Sequence, residues 1–450
     1  MDPLPLSTIA ELSGGQLSGA GDALVSRISK DTRTLQAGDL YLALRGGNFD
    51  GNAFVAAAIE RGAAAAMVDA EVEAPAGFPL IRVADSLIAL QKLAGAWRDR
   101  LSLRVAGVTG SSGKTSTKEF AAAVLAAGFR VNKTVGNLNN HFGLPLTILT
   151  ASQSDEAAVW EMGMNHPGEI APLAALARPD VAILTNIGLA HIEFFENREG
   201  IAHEKADLAR AVHPGGTVII PAEDDFADYL AQQAAGRRVI RCGLTSCDVR
   251  ADSLTLGDYG TSFRVHAFGA TAHAQIPVVG EHMVRNALLA IAAGLAFGLT
   301  LDQCVSGLAE SRLTGGRLEQ KLIRGIRFLD DTYNANPDSM EAALRTLASV
   351  PTSERRIAVL GRMGELGNHA LAGYQKVGGI AACTVDTLVT VGPETLPLLE
   401  AARAAGLSDL YQTNDSLEAA RVLRDITRTG DVVLVKGSRA AQMENVIREF

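Results

Sequence analysis

At 450 residues the chain is longer than one hydrophobic core organises, and domains of roughly 100–200 residues imply two to four of them, with three as the working count. A composition of 47% hydrophobic and 20% charged residues excludes a disordered chain, and 45 glycines favour tightly packed α/β units. The formal charge of -9, from 41 basic against 50 acidic residues with no Lys/Arg block, argues against nucleic acid or an anionic membrane as a partner. Met-Asp-Pro-Leu-Pro-Leu at the start carries no basic region before an apolar stretch, and the longest apolar run, 287–299, is too short for a bilayer, so a cytoplasmic location without a membrane span is expected. Cys242, Cys247, Cys304 and Cys383 lack Cys-x-x-Cys spacing, which leaves a zinc site or disulfide framework unsupported.

In chain order, Leu40-Tyr-Leu-Ala-Leu44 and Ala65-Ala-Met-Val68 are short strand-like runs around a helical stretch at 53–61, which predicts a small α/β domain over residues 1–84. Leu87, Leu90, Leu93, Ala94 and Trp97 recur at helical spacing and predict a helix over 86–100. The pattern then becomes strand, glycine turn and helix, with buried strands at Val105-Ala-Gly-Val108, Ala158-Val-Trp160, Val181-Ala-Ile-Leu184 and Thr217-Val-Ile-Ile220. Strands alternating with helices predict a largely parallel sheet covered on both faces, assigned to residues 85–312. A Gly-rich segment around 313–317 precedes a last unit, 313–450, with strands expected at 326–329, 357–360, 387–391 and 432–435. The expected architecture is therefore three α/β domains: a small N-terminal one, a central phosphate-loop ATPase-like parallel sheet, and a Rossmann-like C-terminal one.

The strongest local signal is Thr109-Gly-Ser-Ser-Gly-Lys-Thr115, between a buried strand and a helix predicted at 115–127. Backbone N–H groups at Gly110, Ser111, Ser112 and Gly113, the helix N-terminus and Lys114 can neutralise a triphosphate, while the Thr115 hydroxyl can hold Mg²⁺. Val108 stands where the longer six-residue version of this loop has its first glycine, so the form is G-x-x-G-K-T. A capped Gly/Ser turn with an exposed lysine is the bland alternative, and the loop alone does not separate kinase, ATPase, motor and ligase.

Further motifs come in order: Gly136-Asn-Leu-Asn-Asn140, Glu161-Met-Gly-Met-Asn-His-Pro-Gly-Glu169, Asn186-Ile-Gly-Leu-Ala-His191, Lys205, Gly280-Glu-His-Met-Val-Arg-Asn286, Asp330-Asp-Thr-Tyr-Asn-Ala-Asn-Pro337 and Lys436-Gly-Ser-Arg439. Together with Asp31-Thr-Arg33 near the start, this ordered set resembles the Mur ligase family over most of the chain. It points to the branch that joins D-alanyl-D-alanine to a UDP-N-acetylmuramoyl-tripeptide with ATP. Glu161 ends a buried strand, where a carboxylate can complete a Mg²⁺ shell; a solvated strand-end Glu is the alternative. The resemblance makes His191 a ligand of a second Mg²⁺ and Lys205, as a carbamate, another, although a structural His and a solvated Lys are the ordinary readings. It places Asn286, Arg317, Asp331, Asn334 and Asn336 at the nucleotide. Asp31, Thr32, Arg33, Gly46, Asn137 and Asn140 go to the UDP-substrate, and Lys436, Ser438 and Arg439 to the acceptor and phosphate side. Departures from the family pattern stand at Asn52 and Tyr374, where His is common, and at Arg362, where Asp is usual. A sister ligase adding a single amino acid, or glutamate to a folate, is the nearest rival, and a P-loop switch without ligase chemistry the more distant one. A monomer is the expected state.

Overall fold

Runs such as Val432-Val-Leu-Val435 and Val181-Ala-Ile-Leu184 offer no polar side to water, so they are stable only between neighbouring strands with helices on both faces. The computed structural model, which describes residues 1–47, 49–257, 260–313 and 315–450, places both runs inside sheets with every residue buried. The chain forms two compact units.

The first unit comprises residues 1–107, 129–163 and 171–180. Its five-stranded sheet runs Gln16–Ser18, Leu80–Arg82, Ala65–Val68, Leu40–Leu42, Ile28–Ser29, parallel except for the pairing of Gln16–Ser18 with Leu80–Arg82. Tyr41, Val55, Ala58, Val68 and Leu80 share its core. The predicted helix at 86–100 is Ser86–Arg98, capped by the Asp85 carboxylate accepting from Ile88 N–H at 2.9 Å. It buries Leu90, Leu93 and Trp97, and the Trp97 indole N–H donates to Ala151 O at 2.9 Å. Val131–Lys133 and Ala157–Glu161 pair in parallel in this unit.

The second unit comprises residues 108–128, 164–170 and 181–450. Beside the end of the strand Arg104–Thr109, its sheet continues through Val181–Leu184, Thr217–Pro221 and Arg238–Gly243, all parallel. The sheet edge departs from the sequence expectation, because Val249–Leu256, Thr261–Ala267 and Ala270–Ile276 form an antiparallel meander there. These strands bury alternate residues, such as Phe263, Val265 and Ala267, and so lack the continuous apolar runs that marked the parallel ones. The apolar run at 287–299 lies mostly in helix Glu281–Ala296, apolar nearly all round because it is buried. Among the described residues no helix is long and apolar enough to cross a membrane. A Cβ added at Gly294 would sit 2.5 Å from Val124 Cγ1, so glycine lets this helix approach helix Lys114–Ala126 closely. The C-terminal six-stranded sheet runs Glu319–Ile323, Ile326–Asp331, Val432–Lys436, Arg356–Leu360, Thr387–Val391, Leu410–Thr413, with only the first strand antiparallel. Phe328, Ile357, Val389, Val433 and Phe450 pack together in its core.

Candidate active site

The glycines of the phosphate loop are required by its geometry. Gly110 has φ +152° and Gly113 +76°, and a Cβ at Gly113 would meet Asn286 Oδ1 at 2.8 Å. Gly113 precedes helix Lys114–Ala126, whose N-terminus receives no side-chain cap, an arrangement suited to an anion. Lys114 Nζ curls back to donate to Gly110 O at 2.7 Å. Thr115 is buried at the helix start. Asn286, expected at the nucleotide, lies against Gly113 on the buried face of helix Glu281–Ala296.

Residues 185–188, just past the strand Val181–Leu184, hold this loop. The Thr185 hydroxyl donates to Ser112 O at 2.5 Å, and Asn186 Oδ1 accepts from the N–H groups of Ser111 (3.1 Å) and Ser112 (2.8 Å). Asn186 Nδ2 donates to Ser112 Oγ at 2.7 Å, and Gly188 N–H donates to Ser111 Oγ at 2.8 Å. From sequence, the 186–191 motif points only to His191; the carboxamide at Asn186 is the signal for the rest.

His191 adopts a left-handed backbone, φ 64°, and its Nδ1 lies 2.5 Å from Glu365 Oε2, a contact that holds the Glu365 carboxyl below its usual pKa. Lys205, on helix Arg198–Ala211, is 1% exposed. Burial first, and the charge of Lys114 second, push its ammonium well below the usual lysine range. The adjacent Glu204 carboxylate is occupied by the N–H groups of Gly168 (2.8 Å) and Ile170 (2.7 Å).

Within the same unit, Lys436 Nζ binds Asp331 Oδ2 at 2.5 Å and Asn334 O at 3.0 Å, so three of the expected nucleotide and phosphate residues form one cluster. His282 borders it, partly buried, with Nδ1 3.3 Å from Thr346 Oγ1; burial lowers its pKa to about 4. The Arg317 guanidinium stacks 3.9 Å from the Tyr333 ring centroid. Asn336 caps helix Pro337–Ser349 by accepting from Ser339 N–H at 2.8 Å, a structural duty that its Asn-Pro-x-Ser setting announces. Ser438 is buried with its N–H on Arg362 O at 2.7 Å, while the exposed Arg439 pairs with Glu444 at 3.1 Å.

Two of the three departures have evident structural work. The Tyr374 hydroxyl accepts from Met363 N–H at 3.0 Å, pinning the turn that carries Glu365. Asn52 Nδ2 donates to Asp50 Oδ1 at 2.7 Å and Asp69 Oδ1 at 2.8 Å. Arg362 points outward, 3.9 Å from Glu394, and nothing in the structure explains it.

In the first unit, Arg33 is 85% exposed and forks onto Asp31, whose pKa falls to about 2 chiefly through that bond; Thr32 lies between them in the turn. Arg45–Gly46 pairs antiparallel with Phe49–Asp50; Asn48 is outside the described residues. Glu161, 2% exposed, accepts from Asn139 Nδ2 at 2.8 Å. Asn139 is thus the asparagine of its motif that touches the carboxylate, while Asn140 accepts from Gly143 N–H at 2.9 Å and Asn137 O accepts from Asn139 N–H at 2.8 Å. Among the described residues no three or more His, Cys, Asp or Glu side chains gather in a ready-made metal cage.

A glycine loop strapped to the end of one parallel strand and opening a helix at the end of another defines a phosphate-loop enzyme of the α/β class. Residues 24–98 match the Mur ligase family catalytic domain, 108–294 the Mur ligase middle domain, and 316–439 the Mur ligase glutamate ligase domain. The chain is 36% identical to the UDP-N-acetylmuramoyl-tripeptide--D-alanyl-D-alanine ligase of Bacillus subtilis, over 99% of this chain and 98% of that one. It is 34% identical to the Escherichia coli protein of the same name, over 100% and 98%. A crystal structure of MurF from Acinetobacter baumannii superposes with a TM-score of 0.90 at 32% identity, covering 100% of this chain and 99% of that one. MurF ligase from Thermotoga maritima in complex with ADP gives 0.83 at 29%, over 94% and 96%. The chain belongs to the Mur ligase family and has its three-domain fold.

Proposed function

We propose that the protein uses ATP and Mg²⁺ to join D-alanyl-D-alanine to a UDP-N-acetylmuramoyl-tripeptide, acting as a cytoplasmic monomer. The observation that carries this reading is the likeness, along essentially the whole chain, to ligases of that name. The phosphate loop supports it chemically. The domains are 1–84 for the UDP-sugar, 85–312 for ATP and 313–450 for completion of the site.

A carboxylate oxygen is a poor leaving group, so amide formation needs activation. The tripeptide's terminal carboxylate attacks the γ-phosphorus, the bond to the ADP oxygen breaks, and an acyl phosphate forms. The neutral dipeptide amine then adds to the acyl carbon. The tetrahedral intermediate expels inorganic phosphate and the nitrogen loses a proton. Lys114 and the N-terminus of its helix neutralise the phosphates, the N–H groups of Ser111 and Ser112 being held by Asn186, and Arg317, Lys436 and Arg439 supply further positive charge on the C-terminal side. Asp31, Thr32, Arg33, Gly46, Asn137 and Asn140 serve the UDP-substrate, and Asn286, Asp331, Asn334 and Asn336 the adenosine side, with Ser438 near the acceptor.

Mg²⁺ takes hard oxygens and usually only one or two carboxylates, a demand that the Thr115 hydroxyl and the Glu161 carboxylate suit. Thr115, Glu161, His191 and Lys205 would hold it, and it would screen phosphate charge. A buried ammonium has no lone pair for a metal. Lys205 fits only as its carbamate, a step that burial favours because carbamylation needs the neutral amine. Phosphate release is the test: it should require ATP, the UDP-tripeptide and a D,D-dipeptide together. Equal turnover with single L-amino acids in place of the dipeptide would move the protein to a sister ligase.

A further inference from the structure

Backbone groups in a tightly folded segment seek partners, and in residues 185–189 most of them are held by identifiable groups. Thr185 N–H donates to Thr109 O at 2.9 Å, and Asn186 O accepts from Ser111 N–H at 3.0 Å. Ile187 N–H donates to Asp224 Oδ2 at 2.9 Å, while its carbonyl accepts from Arg198 Nη2 at 2.8 Å. Gly188 exchanges both of its backbone groups with the Ser111 hydroxyl, at 2.8 and 3.2 Å. The next N–H, that of Leu189, goes to Asp338 Oδ2 at 2.7 Å, in the first turn of the C-terminal helix Pro337–Ser349. The fit is steric as well: a Cβ at Gly188 would lie 2.2 Å from that same Oδ2 and 3.4 Å from Ser111 Cβ. The carboxylate therefore fills the room a side chain would take, one residue from the scaffold of the phosphate loop.

A second carboxylate grips the same segment. Glu365 Oε2 lies 2.5 Å from His191 Nδ1, and Glu365 O accepts from Glu193 N–H at 3.2 Å. His191 and Glu365 are both non-glycine residues in left-handed backbone, φ 64° and 58°. Such conformations persist where surrounding contacts over-determine them.

We propose that Asp338 and Glu365 are positioning residues forming a two-point clamp on residues 186–195, so that the C-terminal domain sets the conformation of the phosphate loop through Leu189, Gly188 and Ser111. Their effect on nucleotide affinity rests on the loop being the ATP site, as proposed above; their effect on loop order does not.

The test uses the full-length protein. Amide hydrogen exchange is measured without ligand over residues 108–116 and 185–195, in wild type, Asp338→Ala, Asp338→Asn, Gly188→Ala and Glu365→Ala. Asp338→Ala should raise exchange at Leu189 and across 110–113 at least tenfold. Asp338→Asn, which keeps an acceptor oxygen, should stay within threefold of wild type. Gly188→Ala, which displaces the carboxylate from the other side, should reproduce the Ala pattern even if Asp338→Ala folds poorly. Glu365→Ala, which removes the acceptor facing His191, should loosen 190–195 more than 110–113. In turnover assays Asp338→Ala should raise the KM for ATP at least fivefold, with a smaller fall in kcat and rescue by Asn. Unchanged exchange at 110–113 in both Asp338→Ala and Gly188→Ala would overturn the clamp. A wild-type protein that binds no ATP would overturn the nucleotide reading instead, with the exchange result still deciding the clamp.

Discussion

Gly110→Ala is the sharpest probe of the phosphate loop. The new methyl would sit 1.8 Å from Thr185 Oγ1, 3.0 Å from Thr185 Cβ and 3.1 Å from Asn186 N, on a backbone with φ +152°. Rotating Thr185 relieves the first contact but breaks its 2.5 Å hydrogen bond to Ser112 O, a net loss of about 1 kcal/mol. The other two contacts involve a β-carbon and a backbone nitrogen, so they yield only if the loop moves. Holding alanine at this φ adds about 1–3 kcal/mol, for a total of about 2–4 kcal/mol. At about 2–4 °C per kcal/mol for a unit of this size, Tm should fall by on the order of 10 °C. Gly215→Ala is the control: φ is +86° but nothing lies within 4 Å of the added methyl, so backbone strain is its only cost. A loop displaced by about 1 Å should lower turnover roughly 100-fold. A phosphate-release assay and a thermal melt suffice. Turnover in Gly110→Ala within threefold of wild type, with Tm unchanged, would refute the geometry.

Two other expectations arise from buried charge. Lys205→Ala should be folded and nearly inactive, Lys205→Arg should fail to restore turnover, and acetate should partly rescue the Ala variant by supplying carboxylate oxygens; full activity in Lys205→Arg would eliminate the carbamate. His282 has a folded pKa of about 4, below its unfolded value, so the unfolded state binds the proton first. Stability should be full above about pH 6.5 and decline as pH falls toward 4. Asp331 and Glu281 oppose that shift, and Lys436 and Arg285 reinforce it. The drop in Tm from pH 7 to pH 5 should be smaller in His282→Gln than in wild type, and an equal drop would count against the assignment.

What could be read in the sequence was local. The loop at 109–115 and the continuous apolar runs of the parallel strands are complete within a few residues, and 387–391 and 181–184 emerged with their expected limits. The strands Val249–Leu256, Thr261–Ala267 and Ala270–Ile276 alternate instead, the first with a register shift between Asp252 and Thr255, and such half-polar strands offer no dense apolar run. The supporting cast was hidden for a different reason. Asn186 acts on serines in another segment, Asp338 on an amide in another domain, and Tyr374 on a turn before its own helix. Each is chemically ordinary until its partner is known. Asn336 is the reverse case: its capping role is written locally, in the Asn-Pro-x-Ser sequence itself.

The fit between Gly188 and Asp338 carries a rule for recombination. The two positions share one small volume across two domains, so a side chain at the first competes with the carboxylate at the second. Exchanging C-terminal domains among relatives should therefore respect this pair as a matched unit. A hybrid that combines Asp338 with a bulkier residue at position 188 would bring two well-made halves to a joint that does not close.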